Sequence, residues 1–330
     1  MNPIDAVYTW VDGNDPAWLE RKNRRLRELR SDEAPVHTNA ASDNRFRDNN
    51  ELRYSLRSLE KYAPWIRNVY LVTDRQRPDW IDTSRVKIVD HTEIFPDNAD
   101  LPVFSSTPIE MCIHRIPNLS ECFISFNDDF ILGRKVTPED YFSPEGRPRI
   151  WADRISRRKH RILIEETLDN VSMHSVRDAR ARRLALEKYN FRQRIKVRHY
   201  PRPVKRSILD QLWETFPEII EANLRSVFRS RTDTIILPSL YSYFALATEQ
   251  ADLRIINSWP RVLDFLRGRI RHIGTTSGDR NFKWKLFRIG LFKPVTFCVN
   301  DGVKAPEEDV DAMLSLLKKR FPEKGSCEKA

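Results

Sequence analysis

The chain is short of the features that would place it outside a plain globular class. It has four cysteines in 330 residues, Cys112, Cys122, Cys298 and Cys327. No two are spaced as Cys-x-x-Cys, which argues against a zinc knuckle. Cys112, Cys122 and Cys298 stand among apolar neighbours and read as reduced core residues, so a cytoplasmic compartment is expected. No apolar run reaches ~18 residues, so no segment reads as spanning a membrane. The first residues, Met-Asn-Pro-Ile-Asp, have neither a basic n-region nor an apolar h-region, and no signal peptide is expected. There is no internal repeat and no linker-like shift of composition, which points to one domain.

What is present is a globular composition with an excess of cations. The 40% hydrophobic and 10% aromatic content excludes a disordered chain. Lys and Arg total 57 against 47 for Asp and Glu, a net charge of +10. That excess suits an anionic partner: nucleotide, phosphate, nucleic acid or an anionic membrane surface. It serves equally as solubilising surface charge.

Along the chain, Ile4 to Val11 reads as a strand that ends in the turn Asp12-Gly13-Asn14-Asp15-Pro16, before a charged surface helix through residue 30. Residues 31 to 45 carry no period and read as a loop. Asn49 to Tyr62 is an amphipathic helix, with Leu52, Leu56 and Leu59 on one face. Asn68 to Thr73, Val86 to Val89 and Cys122 to Phe126 are apolar strands, and Ser105 to Arg115 is a helix. This alternation predicts an α/β sheet with parallel strands. After residue 150 the chain becomes rich in arginine, with helices around 176–188, 206–218 and 238–249. Val295 to Val299 is a strand, and Glu307 to Arg320 is a closing helix.

The strand Cys122–Phe126 runs directly into Asn127-Asp128-Asp129. Carboxylates beside a core strand need a partner, because an unpaired buried charge is costly. Val295–Val299 runs likewise into Asn300-Asp301-Gly302. In open α/β sheets ligands bind outside the carboxyl ends of strands. Asp128, Asp129 and Asp301 brought together there would suit Mg²⁺, or Mn²⁺, on a substrate phosphate. The alternative is an arginine partner for Asp129 and a turn-capping role for Asp301. Thr9-Trp10-Val11-Asp12-Gly13 forms a third strand end, where glycine permits close backbone approach. Asp48 is placed either to cap the helix after it or to act as a general base. His199-Tyr200-Pro201-Arg202-Pro203-Val204-Lys205-Arg206 is stiffened by two prolines and offers one imidazole and three cations. Arg229 to Asp233 is a second basic cluster. His114 reads as structural, and His91 is open.

These segments together resemble the Stealth family, which includes bacterial capsular polysaccharide phosphotransferases and the catalytic part of N-acetylglucosamine-1-phosphotransferase. The resemblance rests on four blocks in order: Ile4–Gly13; Arg45–Asp74 continuing through Phe104–Ser106 and Ile109–Glu110 to Phe126–Asp129; His199–Arg206 with Arg229–Asp233 and Tyr241–Ala247; and Phe297–Asp301. Residues 151 to 195 and 252 to 292 match poorly, and acceptor specificity is expected there. The resemblance implies a glycosyltransferase-A-like (Rossmann-type) mixed sheet flanked by helices, with a helical insert. It implies one catalytic domain over 1–330: a nucleotide-sugar half at 1–150, a basic insert with the His/Arg loop at 151–235, and a completing part at 236–330.

The implied enzyme is a magnesium-dependent phosphotransferase. It moves a sugar 1-phosphate, N-acetylglucosamine 1-phosphate being the family's suggestion, from a UDP-sugar to an acceptor hydroxyl on a glycan or sugar, and releases UMP. Thr9 to Gly13, with Arg53 and Asn127, would border the UDP-sugar. Asp128, Asp129 and Asp301 would hold the metal. Arg202, Arg206 and Arg231 would hold the moving phosphate, and Asp48 or His199 would deprotonate the acceptor. The alternative is a metal-dependent glycosyltransferase of the same fold that releases UDP. A nucleic-acid partner is not expected, because the aromatics occupy apolar periodic positions rather than a basic stripe. Peripheral contact with the inner membrane is compatible with the enzyme.

Overall fold

A computed structural model describes residues 3–31, 46–165, 172–256, 272–300, 302 and 306–329. The loop expected over 31–45 and the metal ligand expected at Asp301 lie almost wholly outside these residues. The chain opens with β1 (Ile4–Thr9), α1 (Pro16–Ser31), α2 (Glu51–Tyr62), β2 (Val69–Thr73), β3 (Val86–Asp90) and the single turn α3 (His91–Ile94). There follow α4 (Ser106–Cys112), β4 (Cys122–Asn127), β5 (Phe130–Leu132), β6 (Arg149–Arg154), α5 (Arg157–Glu165), α6 (Met173–Tyr189), β7 (Ile195–Val197) and β8 (Arg202–Lys205). The last part holds α7 (Arg206–Thr215), α8 (Pro217–Leu224), α9 (Ser242–Ala247), β9 (Asp252–Ile255), β10 (His272–Thr276), α10 (Phe282–Phe292), β11 (Thr296–Asn300) and α11 (Glu307–Arg320).

The main sheet has the order β3-β2-β1-β4-β8. The first four strands are parallel, and β8 pairs antiparallel to β4. This is the mixed α/β sheet flanked by helices that the sequence implied. Its strands are apolar on both faces because both faces are covered. Val7, Val72 and Phe123 pack into one hydrophobic cluster, while Ala6, Tyr8, Leu71, Ile124 and Phe126 pack into another. The second includes Leu52, Leu56 and Leu59, the predicted apolar face of α2. The insert contains the helix expected around 176–188, α6, preceded by the unexpected α5, and the same stretch also supplies strands. β6 and β7 join β9 in a small sheet of order β7-β6-β9, and β8 closes the edge of the main sheet. β7, β8 and β9 are runs of three or four residues, too short to carry a period that reveals such pairing. The helix expected over 238–249 is a π-helical stretch over Ile236–Tyr241 that continues as α9.

A third sheet of order β10-β11-β5 shares its β5 edge with the turn that leaves β4. α2 is fastened across this junction by two buried serines. Ser55 Oγ donates to the Phe130 carbonyl, and Ser58 Oγ accepts from Leu132 N at 3.0 Å. Helix α2 and the β4–β5 turn are therefore held in fixed relation.

At the other end of the sheet, Asp5 is fully buried within β1. Arg67 donates to both its oxygens at 2.7 and 2.9 Å, and the backbone N–H groups of Asn68 and Ser120 add bonds at 3.1 and 2.8 Å. Burial alone would raise the Asp5 pKa, but Arg67 and Ser120 outweigh it and hold the carboxyl below its ordinary value. Asp5 thus ties the starts of β1, β2 and β4 together. We expect Asp5→Ala to cost on the order of 3 kcal/mol, read as a lower urea midpoint, because it strands the donors around it.

Candidate functional site

The strand order reverses between β1 and β4, where β2 and β3 build outward on one side and β4 on the other. Thr9 and Asn127 are register partners at the carboxyl ends of these strands. A cavity of about 570 Å³ opens directly outside them, the position where open α/β sheets bind ligands. Thr9, Trp10, Val11, Asn127, Asp128 and Asp129 all line it. Asp12 and Gly13 do not line it and form the turn that follows: Asp12 Oδ1 accepts from Asn14 N at 2.8 Å, and Gly13 N donates to the Phe46 carbonyl at 2.6 Å. A Cβ on Gly13 would collide with that same carbonyl, so this position requires glycine.

The floor is acidic. Asp128 and Asp129 project from the β4–β5 turn, and Glu51 from the start of α2. Burial pushes the Asp128 carboxyl well above its ordinary pKa, and the charges of Asp129, Glu51 and Asp48 push it further. Burial raises Asp129 as well. Glu51 is raised to about 7, chiefly by burial. Asp48 does not cap α2 through its side chain. The cap residue is Asn50 in a left-handed conformation (φ 65°), and Asp48 Oδ1 accepts from its N–H at 2.8 Å. The Asp48 carboxyl lies beside Trp10 and is raised above its ordinary pKa, first by burial.

The wall is cationic. Arg202, at the start of β8, is 5% exposed, and its Nε and Nη1 have no hydrogen-bond partner among the described residues. Its Nη2 lies 3.4 Å from His199 Nδ1. A guanidinium can only donate, so Nδ1 accepts and the imidazole proton sits on Nε2. Burial, then Arg202 and the other nearby histidines and Arg229, hold the His199 pKa well below its ordinary value. The ring is neutral but still reached by solvent through the cleft. Arg177 from α6 and Arg229 complete the wall, tied down by Thr107 and by Ser106 (2.9 Å) at the start of α4.

Several expected site residues stand elsewhere. Arg206 shares a loop with Arg202 in the sequence, but β8 carries it to the opposite end of the sheet, where its Nη1 donates to the Leu119 carbonyl at 3.3 Å. Arg53 lies over the Trp80 ring at 4.8 Å and near Glu328 at 3.5 Å, away from the cleft. Arg231 does not line the cleft, whereas its neighbour Arg229 does. Asn300 lines the cleft beside the undescribed position 301. His91 is a buried cleft residue with its pKa lowered to about 4 by burial. His114 packs edge-on against Trp213 with Asp210 at 3.4 Å, the structural role expected. The residues that sequence reasoning missed are Glu51, Arg177 and His174, while in the basic cluster 229–233 it chose Arg231 where the cleft takes Arg229. Glu51 had a signal, a carboxylate in the first turn of a helix next to Asp48. Arg177 and His174 lie in the unmatched insert, and only the fold brings them in.

The floor suits a hard divalent cation. Asp129 Oδ1 is buried without a hydrogen-bond partner among the described residues. Oδ2 accepts from the Cys298 thiol at 2.9 Å. One atom each from Asp129, His199 and Cys298 lie within 4.8 Å of one another. Burial raises the Cys298 pKa well above the ordinary value, and a soft sulfur is a poor match for a hard cation such as Mg²⁺. Asp129 is the carboxylate of that group, Asp128 and Glu51 line the same cavity, and carboxylate oxygens are the ligands that Mg²⁺ and Mn²⁺ take.

Comparison with known proteins now decides the family. Residues 2–30, 45–150 and 198–247 match Stealth protein conserved regions 1, 2 and 3. Capsular polysaccharide phosphotransferase WcwK of Streptococcus pneumoniae is 32% identical over 99% of this chain and 100% of that protein. The chain belongs to the Stealth family. Exopolysaccharide phosphotransferase SCO6023 of Streptomyces coelicolor is 38% identical over 96% of this Stealth chain. This Stealth chain spans 50% of that relative's length and 54% of a second Streptomyces one, SCO6021. The apo structure of mouse xyloside xylosyltransferase 1 aligns over 90% of the Stealth chain with a TM-score of 0.38 and 8% identity.

The carboxylate floor makes stability depend on pH. With a folded pKa of about 7 against 4.5, Glu51 opposes folding once ionised. That cost is absent below pH 4.5, grows through the interval, and is complete above about pH 7 at about 3 kcal/mol. Glu51→Gln should therefore raise the melting temperature of the metal-free protein near pH 8 and leave it almost unchanged near pH 4.5. For the same reason, stabilisation of the wild type by Mg²⁺ or Mn²⁺ should grow from about pH 5 to about pH 8 in thermal-shift scans.

Proposed function

We propose that this chain is a sugar-1-phosphate transferase acting from a UDP-sugar onto a glycan hydroxyl. The observation that carries the reading is the pairing of orphaned groups in one cleft. Among the described residues, Asp129 Oδ1 is an acceptor without a donor, and Arg202 Nε and Nη1 are donors without an acceptor. Asp129 is held near enough for the Arg202 charge to lower its pKa. A phosphate with its counter-cation satisfies both sides at once. The names of the relatives, capsular and exopolysaccharide phosphotransferases, support the same reading. The donor sugar is a UDP-sugar, with UDP-N-acetylglucosamine the first candidate.

In this reading the acceptor oxygen forms a bond to the β-phosphorus while the bond from that phosphorus to the bridging oxygen breaks. UMP leaves with the electron pair, and the product is a phosphodiester. Asp48 takes the acceptor proton. Its Oδ1 accepts from Asn50 N, and burial makes it a stronger base than an exposed carboxylate. His199 carries its proton on Nε2 and has Nδ1 turned to Arg202, so it donates to a phosphate oxygen instead. Arg202, Arg177 and Arg229 hold the equatorial oxygens as charge spreads over them. Thr9 to Gly13 and Asn127 border the nucleotide. Asp128 and Asp129, with Glu51 in the same cavity lining, would hold a divalent cation, which would neutralise the diphosphate charge. Residues 1–150 then supply the acids, 151–235 most of the cations, and 236–330 the closing strand β11.

Two measurements test this. Incubation with UDP-sugars, Mg²⁺ and a glycan acceptor should release UMP; release of UDP alone would assign the chain to sugar transfer at the anomeric carbon. Asp48→Asn should lower kcat by about a thousandfold, and His199→Gln by about tenfold with a raised KM. The reverse order would make His199 the base.

A further inference from the structure

Three large apolar side chains are exposed on the described surface: Trp284 (59%), Phe287 (56%) and Leu291 (58%). All three lie on α10. Their spacing puts them on one stripe, opposite the buried Phe282, Leu286 and Ile289. A surface helix of a globular protein shows polar residues on that outer stripe, so α10 is apolar where it should be wet. The Trp284 and Phe287 rings are stacked at 5.5 Å, and this aromatic pair is ordered with nothing above it among the described residues.

An open groove of about 840 Å³ runs beside the stripe, between α10 and α11, with Leu286, Phe287, Leu291 and Leu316 along it. The charged residues that line it are Lys61, Lys283, Lys293, Lys319 and Arg320, and no carboxylate lines it. Arg320 is committed to the Ile289 and Gly133 carbonyls, and Lys283 pairs with Glu308 at 2.9 Å. Lys61, Lys293 and Lys319 are exposed. Lys283 on one side of the stripe and Arg288 on the other keep cations along both its flanks.

We propose that α10 is a docking surface for an anionic lipid bilayer. Trp284, Phe287 and Leu291 enter the headgroup region, and the lysines meet lipid phosphates. A Trp-containing apolar stripe edged by lysines is the composition of a helix lying in a membrane interface. The charge complement selects an anionic leaflet over a neutral one. No helix among the described residues is long and apolar enough to cross a membrane, so this contact is peripheral. The surface stands apart from the cleft and does not depend on the reaction assigned to it.

The test is sedimentation of the full chain with phosphatidylcholine vesicles that do or do not contain about one third phosphatidylglycerol. Wild type should bind the anionic vesicles at low salt, lose binding at high salt, and ignore the neutral ones. Trp284→Ser with Leu291→Ser should weaken binding at least about tenfold. Lys293→Glu with Lys319→Glu should remove its salt dependence. UMP or UDP release on a soluble acceptor should stay unchanged in both variants, which shows that they fold. Three results would overturn the proposal: equal binding by wild type and both variants, no binding to anionic vesicles, or a wild-type dimer in solution that the Trp284/Leu291 variant converts to monomer. The last would assign the stripe to a second copy of the chain.

Discussion

Two serine side chains set the geometry on which the cleft depends. Ser55 and Ser58 sit one turn apart on α2 and bond the backbone of β5 at Phe130 and Leu132. The N-terminal end of α2 carries Asp48 and Glu51, and the segment before β5 carries Asp128 and Asp129. Fixing helix to strand therefore forces four carboxylates into one low-dielectric region. Left alone they would spread, since each raises the pKa of its neighbours. Backbone hydrogen bonds to buried hydroxyls are costly to abandon, which is why the arrangement holds. The protein spends stability on this crowding, as functional sites commonly do.

The opposite wall is built from another part of the chain. Arg177, Arg202 and Arg229 come from α6, from β8 and from the loop after α8. Thr107 and Asp233 hold Arg177, His199 lies against Arg202, and Ser106 holds Arg229. Pairing them directly with Asp128 and Asp129 would collapse the site into ordinary salt bridges. Cys298 helps prevent this, because its thiol occupies one oxygen of Asp129 without adding a charge.

The parts of this design that follow local periodicity were legible in the sequence. The parallel strands, α2 with its leucine face, and the strand-end acids Asp128 and Asp129 all emerge from alternation and turn chemistry. The choice between Arg202 and Arg206 was not legible. Both belong to one short basic loop, but the loop is a strand, and its four residues span roughly 13 Å. Antiparallel pairing of Ser125 with Arg202 decides which end faces the cleft, and that pairing is a long-range fact. Arg53 was lost in a similar way: its side of α2 meets Trp80 and Glu328. Arg177 lay in a stretch with no motif, where only the packing of α6 against Ile236–Tyr241 and α9, and its bond to Thr107, give it a role.

The order in which the two walls occur along the chain matters during synthesis. A ribosome makes every floor acid by residue 129, before it reaches Arg177, Arg202 or Arg229. The nascent chain can pair β1, β2, β3 and β4 early, yet it then presents crowded acids with no arginine wall and no antiparallel edge at β4. Its own arginines, such as Arg53 beside Asp48, and cations from the surrounding solution are the counter-charge for that unfinished half, until the later segments arrive to complete the sheet.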